Sequence, residues 1–459
     1  MTPPQAGAPG HEAGPVPPVR ILRKRREAAA AALSKGEGKG VLVLPAAPVQ
    51  LKSRDGEQPY HPDRELFYLT GATEPGTLAV LVGGDEPVLH LFVRERDADD
   101  ELWRGPRLGP VGAAERFQPD ECHPLGELEA RLPDLLRGAH RIYFRLAGIH
   151  GPGDEIERRV LDALRWARAR GARTGTGPRG VVDPGEVLDD LRVIKDDHEL
   201  SALRRAAEVT VEGHRAAAAR IAPGEGEWAV EATLHAAFRA AGGRGPGYEP
   251  IVGSGANACV LHYVENASVI ARDALVLVDA GAEMGLYNGD VTRTYPASGR
   301  LAGAQREVYE IVEAARAAAV AAVKPGCPVA AVHDTATRVL VEGLVALRVL
   351  EGDVDELIEA EAHKPFYPHQ TSHWLGLDVH DPGDYAKNGV SRDLAPGMVL
   401  TVEPGLYFRA DRDATPARFA GIGVRIEDDV AVTKDGHEVL TAALPTAAAE
   451  VEALVRSAR

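Results

Sequence analysis

Cysteine is scarce in this chain of 459 residues, which contains only Cys122, Cys259 and Cys327. Three widely spaced cysteines form neither a disulfide framework nor a CxxC metal motif. Long apolar runs are also missing, since no stretch approaches the roughly 18 residues that a membrane-spanning helix needs. We therefore expect an intracellular protein, located in the cytoplasm, that has no membrane partner.

Basic residues are too few for a protein that binds nucleic acids generally. Lys and Arg number 52 against 68 Asp and Glu, so the formal net charge is −16. Affinity for a duplex depends on Lys and Arg that neutralise its phosphates. With 44% hydrophobic and 26% charged residues, the composition is instead typical of a globular protein without a nucleic-acid partner.

The order of helical and strand patterns predicts two domains after an N-terminal leader. Residues 1–19 are rich in Pro and Gly and lack the apolar core of a signal peptide, so they are expected to be disordered. Short β-branched runs with intervening helical patterns predict an α/β domain over residues 20–178. The stretch 170–184 is dense in Gly and Pro and predicts a linker. An α+β domain is predicted over residues 186–459, with long helices at 197–219, 226–241, 304–323 and 329–347.

Two aspartates flank a predicted hairpin in the second domain. Asp279 ends an apolar strand and Asp290 begins the next one, so the two carboxylates can face each other. A carboxylate that ends an apolar strand is costly unless it is paired or binds a metal. The alternative is that each aspartate caps a turn at the surface, and the spacing leaves both interpretations open.

A cluster of histidines follows further along the chain. His369, His373 and His380 lie within twelve positions and are followed by Asp381. His369 and His373 have the HxxxH spacing of zinc proteases, but Gln370 stands where that motif requires Glu. A lone histidine of this kind is usually a satisfied polar residue, whereas three beside an aspartate favour a functional site.

Two glutamates complete a set of oxygen and nitrogen donors. Glu403 ends a strand, and Glu427 shares a strand face with Arg425, which is expected to hold it ionised. The alternative is an exposed ion pair on an edge strand. Four carboxylates and one histidine suit two divalent cations such as Mn, Co or Zn, which in aminopeptidases activate a bridging hydroxide and polarise a carbonyl. Spacing alone does not establish that the five residues converge.

Several sequence strings resemble those of one enzyme family. The pattern of ligands is similar to that of the pita-bread metallopeptidases, and SHWLGLDVHD (372–381), LTVEPGLY (400–407) and GIGVRIEDD (421–429) resemble aminopeptidase P, the Xaa-Pro aminopeptidases. YHPDRELFYLTGATEPG (60–76) and LWRGPRLG (102–109) resemble the creatinase-like domain of that family. The resemblance implies an α+β pita-bread catalytic domain preceded by a smaller α/β domain.

The resemblance also implies roles for particular residues. Glu403 would be the general base, and His262 and His380 would stabilise charge at the scissile peptide. The implied dinuclear centre, usually of manganese, has as its ligands Asp279, Asp290, His373, Glu403 and Glu427. The implied substrate-binding residues are His369, Arg425, Tyr407 and Trp103.

The implied reaction is hydrolysis of the N-terminal Xaa-Pro bond of peptides whose second residue is proline. A prolyl bond needs a dedicated enzyme because its nitrogen carries no N–H and its ring fixes φ. The alternatives are a prolidase, which cuts Xaa-Pro dipeptides, and a pita-bread binding module without metals. Trp103 matches a position that, in tetrameric relatives, reaches a neighbouring active site, so a homo-oligomer, either a dimer or a tetramer, is expected.

Overall fold

The computed structural model describes residues 16–35, 38–146 and 155–457. They divide into two compact units, the first ending at Leu191 and the second beginning at Arg192. The prediction of a disordered leader falls mainly on residues 1–15, outside the described residues, and the first helix begins at Val19. Within the described ranges, no helix has the length and apolar character needed to cross a membrane.

The N-terminal unit is built on a mixed sheet with helices packed against it. Its strands lie in the order β4-β3-β2-β1-β5-β6, in which β1–β2 and β2–β3 are antiparallel and the other neighbours are parallel. Strand residues such as Val43, Val80 and Phe92 form a core with Leu132 and Leu164 of the helices, as an α/β domain requires. The elements are α1 (Val19–Leu33), β1 (Lys39–Pro45), α2 (Arg64–Thr70), β2 (Leu78–Val82), β3 (Val88–Val93), α3 (Ala98–Arg104), α4 (Gly109–Phe117), β4 (Glu121–Pro124), α5 (Leu128–Leu135), β5 (Ala139–Tyr143), α6 (Glu155–Gly171), β6 (Gly180–Val182) and α7 (Gly185–Val193).

The predicted linker is part of this unit. Within the stretch 170–184, β6 pairs in parallel with β5. Arg145 binds Asp183, and Arg141 binds Glu186. The unit therefore continues to Leu191, beyond the boundary predicted at residue 178. The Gly and Pro residues of this stretch predict irregular structure. A strand of only three residues has too short a pattern to be recognised in such a sequence, and β6 is stabilised by its pairing with β5.

The C-terminal unit combines long helices with short strands. The four long helices have the predicted bounds to within one residue at each end. The elements are α8 (Asp197–Arg220), α9 (Glu227–Ala240), β7 (Gly245–Pro246), β8 (Ile251–Ser254), β9 (Leu275–Asp279), β10 (Ala282–Met284), β11 (Tyr287–Asn288), β12 (Thr292–Pro296), α10 (Ala304–Ala322), α11 (Val329–Ala346), α12 (Val354–Glu359), β13 (Ala386–Lys387), β14 (Val390–Ser391), β15 (Val399–Val402), β16 (Gly405–Phe408), β17 (Ile422–Arg425), β18 (Asp428–Val432), β19 (His437–Val439) and α13 (Ala448–Ser457).

Helix α8 positions the segment between the two aspartates. It begins with a capping box, in which the Asp196 side chain accepts from the Glu199 backbone and the Glu199 side chain accepts in return, and this arrangement satisfies N–H groups of the first turn. Further along, Thr210 accepts a hydrogen bond from the Ala282 backbone N–H at 2.9 Å, and His214 Nε2 lies 3.0 Å from the Ala280 carbonyl oxygen. The helix thereby fixes the chain immediately after strand β9.

Four antiparallel strand pairs bring the site residues together. Strand β9 pairs with β8 and β12, β15 pairs with β18, and β16 pairs with β17. Between β9 and β12 the chain forms a small ribbon of β10 and β11 rather than the simple turn that the sequence predicted. Arg425 and Glu427 do not share one strand as the sequence predicted: β17 ends at Arg425, β18 begins at Asp428, and Glu427 lies between them.

A buried arginine joins these strands behind the site. Arg293 of β12 is fully buried, and its guanidinium donates to Asp428 Oδ1 at 2.7 Å and to the carbonyl oxygens of Glu427, Leu444 and Pro445. A buried cation of this kind is tolerated because its donors are satisfied.

We predict that Arg293→Ala lowers the free energy of unfolding of the metal-free protein by about 3–5 kcal/mol. The substitution leaves three carbonyl oxygens and the buried Asp428 carboxylate without the hydrogen-bond donor that Arg293 provides. Urea denaturation measures this loss. The control is Arg205→Ala, whose exposed side chain pairs with nearby Glu208 and whose loss should stay within about 0.5 kcal/mol. Equal effects of the two substitutions would contradict the structural role of Arg293.

Candidate metal centre

Most of the predicted site residues line one cavity of about 840 Å³ in the C-terminal unit. The cavity also has apolar walls, to which Ile251, Leu261 and Val264 contribute. A concave site with a few convergent polar groups is typical of small-molecule and peptide binding. The predicted residues that line it are His262, Asp279, Asp290, His369, His373, His380, Glu403, Arg425 and Glu427.

The two aspartates lie side by side, as the sequence predicted. Asp279 is paired with Thr292 across β9 and β12, and the Ala280 N–H donates to the Val291 carbonyl oxygen at 3.1 Å. The Tyr248 hydroxyl lies 2.5 Å from Asp279 Oδ1 and 2.6 Å from Asp290 Oδ1. A phenol has one proton to donate, so it ties the two carboxylates together without neutralising both.

His373 is oriented by the chain that carries it. Its Nδ1 lies 3.0 Å from the Trp374 carbonyl oxygen, which leaves Nε2 facing Asp290 Oδ2 at 3.3 Å and Glu403 Oε1 at 3.5 Å. Burial disfavours the imidazolium, but the hydrogen bond to Asp290 and the charges of Asp290 and Glu403 outweigh it and raise the pKa of His373 to about 9. A metal ligand whose second nitrogen donates to a carbonyl is held in a fixed orientation.

The two glutamates reach the same cavity from different strand ends. The Glu403 backbone N–H donates to the Thr371 carbonyl oxygen, and the Glu427 N–H donates to that of Thr292. Burial, opposed by His373 and Arg425 and reinforced by the two aspartates, raises the pKa of Glu403 to about 7. Burial and the neighbouring carboxylates raise the pKa of Glu427 well above its ordinary value. The raised pKa values mean that the surrounding side chains do not supply enough positive charge to stabilise the ionised form of either glutamate.

Arg425 contacts Asp279 rather than Glu427, which corrects the pairing expected from the sequence. Its Nη2 donates to Asp279 Oδ2, its Nε to Thr292 Oγ1 at 2.9 Å and its Nη1 to the Tyr407 hydroxyl at 2.9 Å. Thr292 Oγ1 in turn donates to Glu427 Oε2 at 2.7 Å. Arg425 is 4% exposed, so it acts on Glu427 through Thr292 and is not part of an exposed ion pair.

His369 and Tyr407 form a hydrogen-bonded pair at one wall. His369 Nε2 lies 2.9 Å from the Tyr407 hydroxyl, and its Nδ1 lies 2.8 Å from the Gln370 carbonyl oxygen. Burial and the positive charge of Arg425 lower the pKa of His369 to about 3. His369 Nδ1 also lies 3.6 Å from Glu403 Oε2, but the lowered pKa keeps the imidazole neutral at physiological pH, so this contact is not an ion pair.

The remaining predicted residues lie in three different settings. His380 packs edge-on against His373, with ring centroids 4.4 Å apart, and burial lowers its pKa. His262 is exposed where it lines the cavity. Trp103 belongs to helix α3 of the N-terminal unit and is 85% exposed, so it is not among the residues gathered in the cavity.

Some residues of the site were missed from the sequence, and one neighbour was misjudged. Tyr248 and Thr292 carry single hydroxyls in unremarkable contexts, and no spacing signals their contacts. Asp381, grouped with the histidines in the sequence, is instead buried between Arg192 at 2.6 Å and Lys195 at 3.0 Å. Its role is to anchor the loop after His380.

The donor set fits divalent metal ions. Asp290, His373 and Glu427 each offer a ligand atom, and these atoms lie within 4.8 Å of one another. Asp279 and Glu403 border the same space. One imidazole among carboxylates suits Mn, Co or Zn, and bound cations would supply the positive charge that the raised carboxylate pKa values show to be lacking.

Comparison with known proteins gives one family for both units. The profile of metallopeptidase family M24 matches residues 201–434, and that of the aminopeptidase P N-terminal domain matches residues 22–143. The Xaa-Pro aminopeptidase of Escherichia coli K12 is 41% identical over 441 residues, which are 95% of this chain and 98% of that protein.

Solved structures agree with the sequence comparison. The aminopeptidase PepP of Pseudomonas aeruginosa superposes with a TM-score of 0.90 at 42% identity, covering 96% of this chain and 98% of that one. A zinc-substituted E. coli aminopeptidase P in complex with product gives a TM-score of 0.89 at 39% identity, covering 96% and 99%. Fold and site together define a two-domain metallopeptidase. The chain belongs to metallopeptidase family M24, among its Xaa-Pro aminopeptidases, and the predicted pita-bread fold is confirmed.

We predict that metal binding releases more protons at about pH 6 than at about pH 8, because ligands must be deprotonated to bind. At the lower pH both Glu403 and His373 hold protons, given pKa values of about 7 and about 9. At the higher pH Glu403 is already ionised, so its proton no longer contributes, while His373 still holds one. Calorimetric titration of the metal-free protein with Mn²⁺, in buffers of different ionisation enthalpy, measures this release. Equal release at the two pH values would contradict the assignment.

Proposed function

We propose that this protein is an Xaa-Pro aminopeptidase that uses two divalent cations, Mn²⁺ in the cell, to release the first residue of peptides with proline in second place. The observation that carries the proposal is that all five predicted metal ligands line one cavity of an M24 fold. The names of the relatives support the substrate class, since the E. coli and Haemophilus influenzae proteins are both Xaa-Pro aminopeptidases.

The ligands divide into two overlapping sets. Asp279 and Asp290 would hold one cation, while Asp290, His373, Glu403 and Glu427 would complete the pair, with Asp290 and Glu427 shared. When bound there, two divalent cations supply Lewis acidity toward the scissile carbonyl and lower the pKa of water. The Tyr248 hydroxyl and Arg425 hold Asp279 in place from the other side.

Glu403 is proposed as the general base. Its carboxylate lines the cavity beside His373 and must be ionised when cations are bound, which is the form that a general base needs. It would accept a proton from the attacking water and pass it to the prolyl nitrogen as the C–N bond breaks. The nitrogen needs that proton because an amide anion is a poor leaving group.

Histidines at the cavity wall complete the proposal. His262 and His380 would donate hydrogen bonds to the oxygen of the scissile carbonyl, where negative charge develops. His369, neutral and bonded to Tyr407, would form the wall against the proline ring. A neutral imidazole suits that position because the ring is apolar and its nitrogen has no N–H to donate.

The oligomeric state and location are also proposals. Leu102, Trp103 and Val111 are exposed on the N-terminal unit, and exposed apolar groups of this kind often mark contacts between protein chains. We propose that they contribute to a dimer or tetramer. The three cysteines are free thiols, in keeping with a reducing cytoplasm.

A matched pair of peptides tests the proposed activity. The protein reconstituted with Mn²⁺ is expected to cleave an Xaa-Pro-Yaa tripeptide after its first residue. Cleavage of the Xaa-Pro dipeptide alone would indicate a prolidase, and cleavage of neither peptide would contradict the proposed catalysis. Glu403→Gln should lower kcat on the tripeptide by about 10²–10⁴-fold, the usual contribution of a general base. Glu310→Gln, an exposed residue of helix α10, is the control and should leave kcat unchanged.

A further inference from the structure

A second group of metal-ligand side chains lies in the N-terminal unit. His90 Nδ1 is 3.3 Å from His123 Nε2, and Glu121 Oε2 is 3.4 Å from the first nitrogen and 3.1 Å from the second. These three atoms form a nearly equilateral triangle. The family comparison concerns a centre in the other unit and assigns no function to this one.

The register of the sheet produces this triangle. Strands β3 and β4 are parallel neighbours, with His90 opposite Glu121 and Phe92 opposite His123. Side chains alternate along a strand, so Glu121 and His123 share a face while Cys122 points away. Because β4 is the outermost strand of the sheet, the triangle lies at an edge that solvent can reach.

The spacing matches a coordination shell. Zinc binds imidazole nitrogens and carboxylate oxygens at about 2.0–2.2 Å, and ligands at tetrahedral corners are then about 3.3–3.5 Å apart. The sides of the triangle span 3.1 to 3.4 Å. The distances from His373 to Asp290 and Glu403, 3.3 and 3.5 Å, are similar in the other centre.

Burial and charge prepare the three groups to bind a cation. His90 and His123 are buried, at 8% and 7% exposed, and their rings are stacked with centroids 5.6 Å apart. A neutral imidazole offers a lone pair. The carboxylate of Asp120, held by the Leu89 N–H at 2.7 Å, adds negative charge nearby.

Other groups around the triangle leave it open to an ion. Arg131 is the nearby cation that acts on His90, but its guanidinium is paired with Glu127 at 2.6 Å. The Phe92 ring packs against His123 at 5.0 Å and shields one side. The Glu121 side chain is half exposed, which leaves a path for an ion and room for a water as fourth ligand.

We propose that His90, Glu121 and His123 form a zinc site that clamps edge strand β4 to β3, separate from the catalytic centre. Two imidazoles and one carboxylate suit zinc better than manganese. The ion bridges two strands that are joined through α3 and α4, so it stabilises the edge of the sheet rather than taking part in peptide hydrolysis.

The test counts zinc ions bound to the full chain. Asp290→Asn with His373→Ala removes ligands of the catalytic centre, and equilibrium dialysis against Zn²⁺ then measures the zinc that remains. Adding Glu121→Gln or His123→Gln should remove one equivalent of zinc or weaken its binding by at least about 10- to 100-fold. Loss of a residue that only hydrogen-bonds to a metal ligand already weakens binding by that factor, so loss of a ligand itself should weaken it at least as much. Glu129→Gln, an exposed residue of α5, is the matched control and should retain that equivalent.

The variants also separate loss of the site from loss of the fold. Glu121 is exposed, so Glu121→Gln is expected to leave the circular dichroism and the Tm of the zinc-free protein unchanged, while the rise in Tm on adding Zn²⁺ disappears. Zinc binding that is the same with and without Glu121→Gln and His123→Gln would overturn the proposal. So would a background variant that binds no zinc.

Discussion

Four carboxylates, those of Asp279, Asp290, Glu403 and Glu427, border one cavity, and the rest of the catalytic unit depends on this crowding of negative charge. Asp279, Asp290 and Glu427 are buried and Glu403 is partly buried, and the pKa values of Asp279, Glu403 and Glu427 are raised. Repulsion between like charges in a poorly solvated site is costly, so the arrangement persists only where the surrounding structure imposes it. When divalent cations bind between the carboxylates, this repulsion is relieved, and its relief contributes to the affinity of the site for the cations.

The neighbouring side chains each counter part of that cost. Arg425 places one buried positive charge against Asp279 and reaches Glu427 through Thr292. Tyr248 bridges the two aspartates. Behind them Arg293 fixes the backbone at Glu427. One buried arginine and one histidine do not balance the charge of four carboxylates. The site therefore keeps an excess of negative charge, which favours the binding of cations.

Much of this could be predicted from the sequence, but not the contacts that make the site work. Long helices such as Asp197–Arg220 show a clear period and capping residues, so their bounds were confirmed. Strands of two or three residues, such as Gly180–Val182, are too short for a period and form only through their partners. The pairing of Arg425 with Asp279 joins residues 146 positions apart, and a lone tyrosine such as Tyr248 carries no local signal. The five proposed ligands came from the family resemblance, because their spacing alone could not establish that they converge.

The manganese content of the full-length protein tests the central claim most directly. Equilibrium dialysis of the metal-free protein against Mn²⁺, followed by elemental analysis, should give two tightly bound ions per chain. Asp290→Asn, which alters the carboxylate proposed to be shared by both ions, should lower that number and weaken what remains. A protein that binds no manganese, or whose manganese content is the same in the Asp290→Asn variant, would contradict the account of these carboxylates as a dinuclear centre.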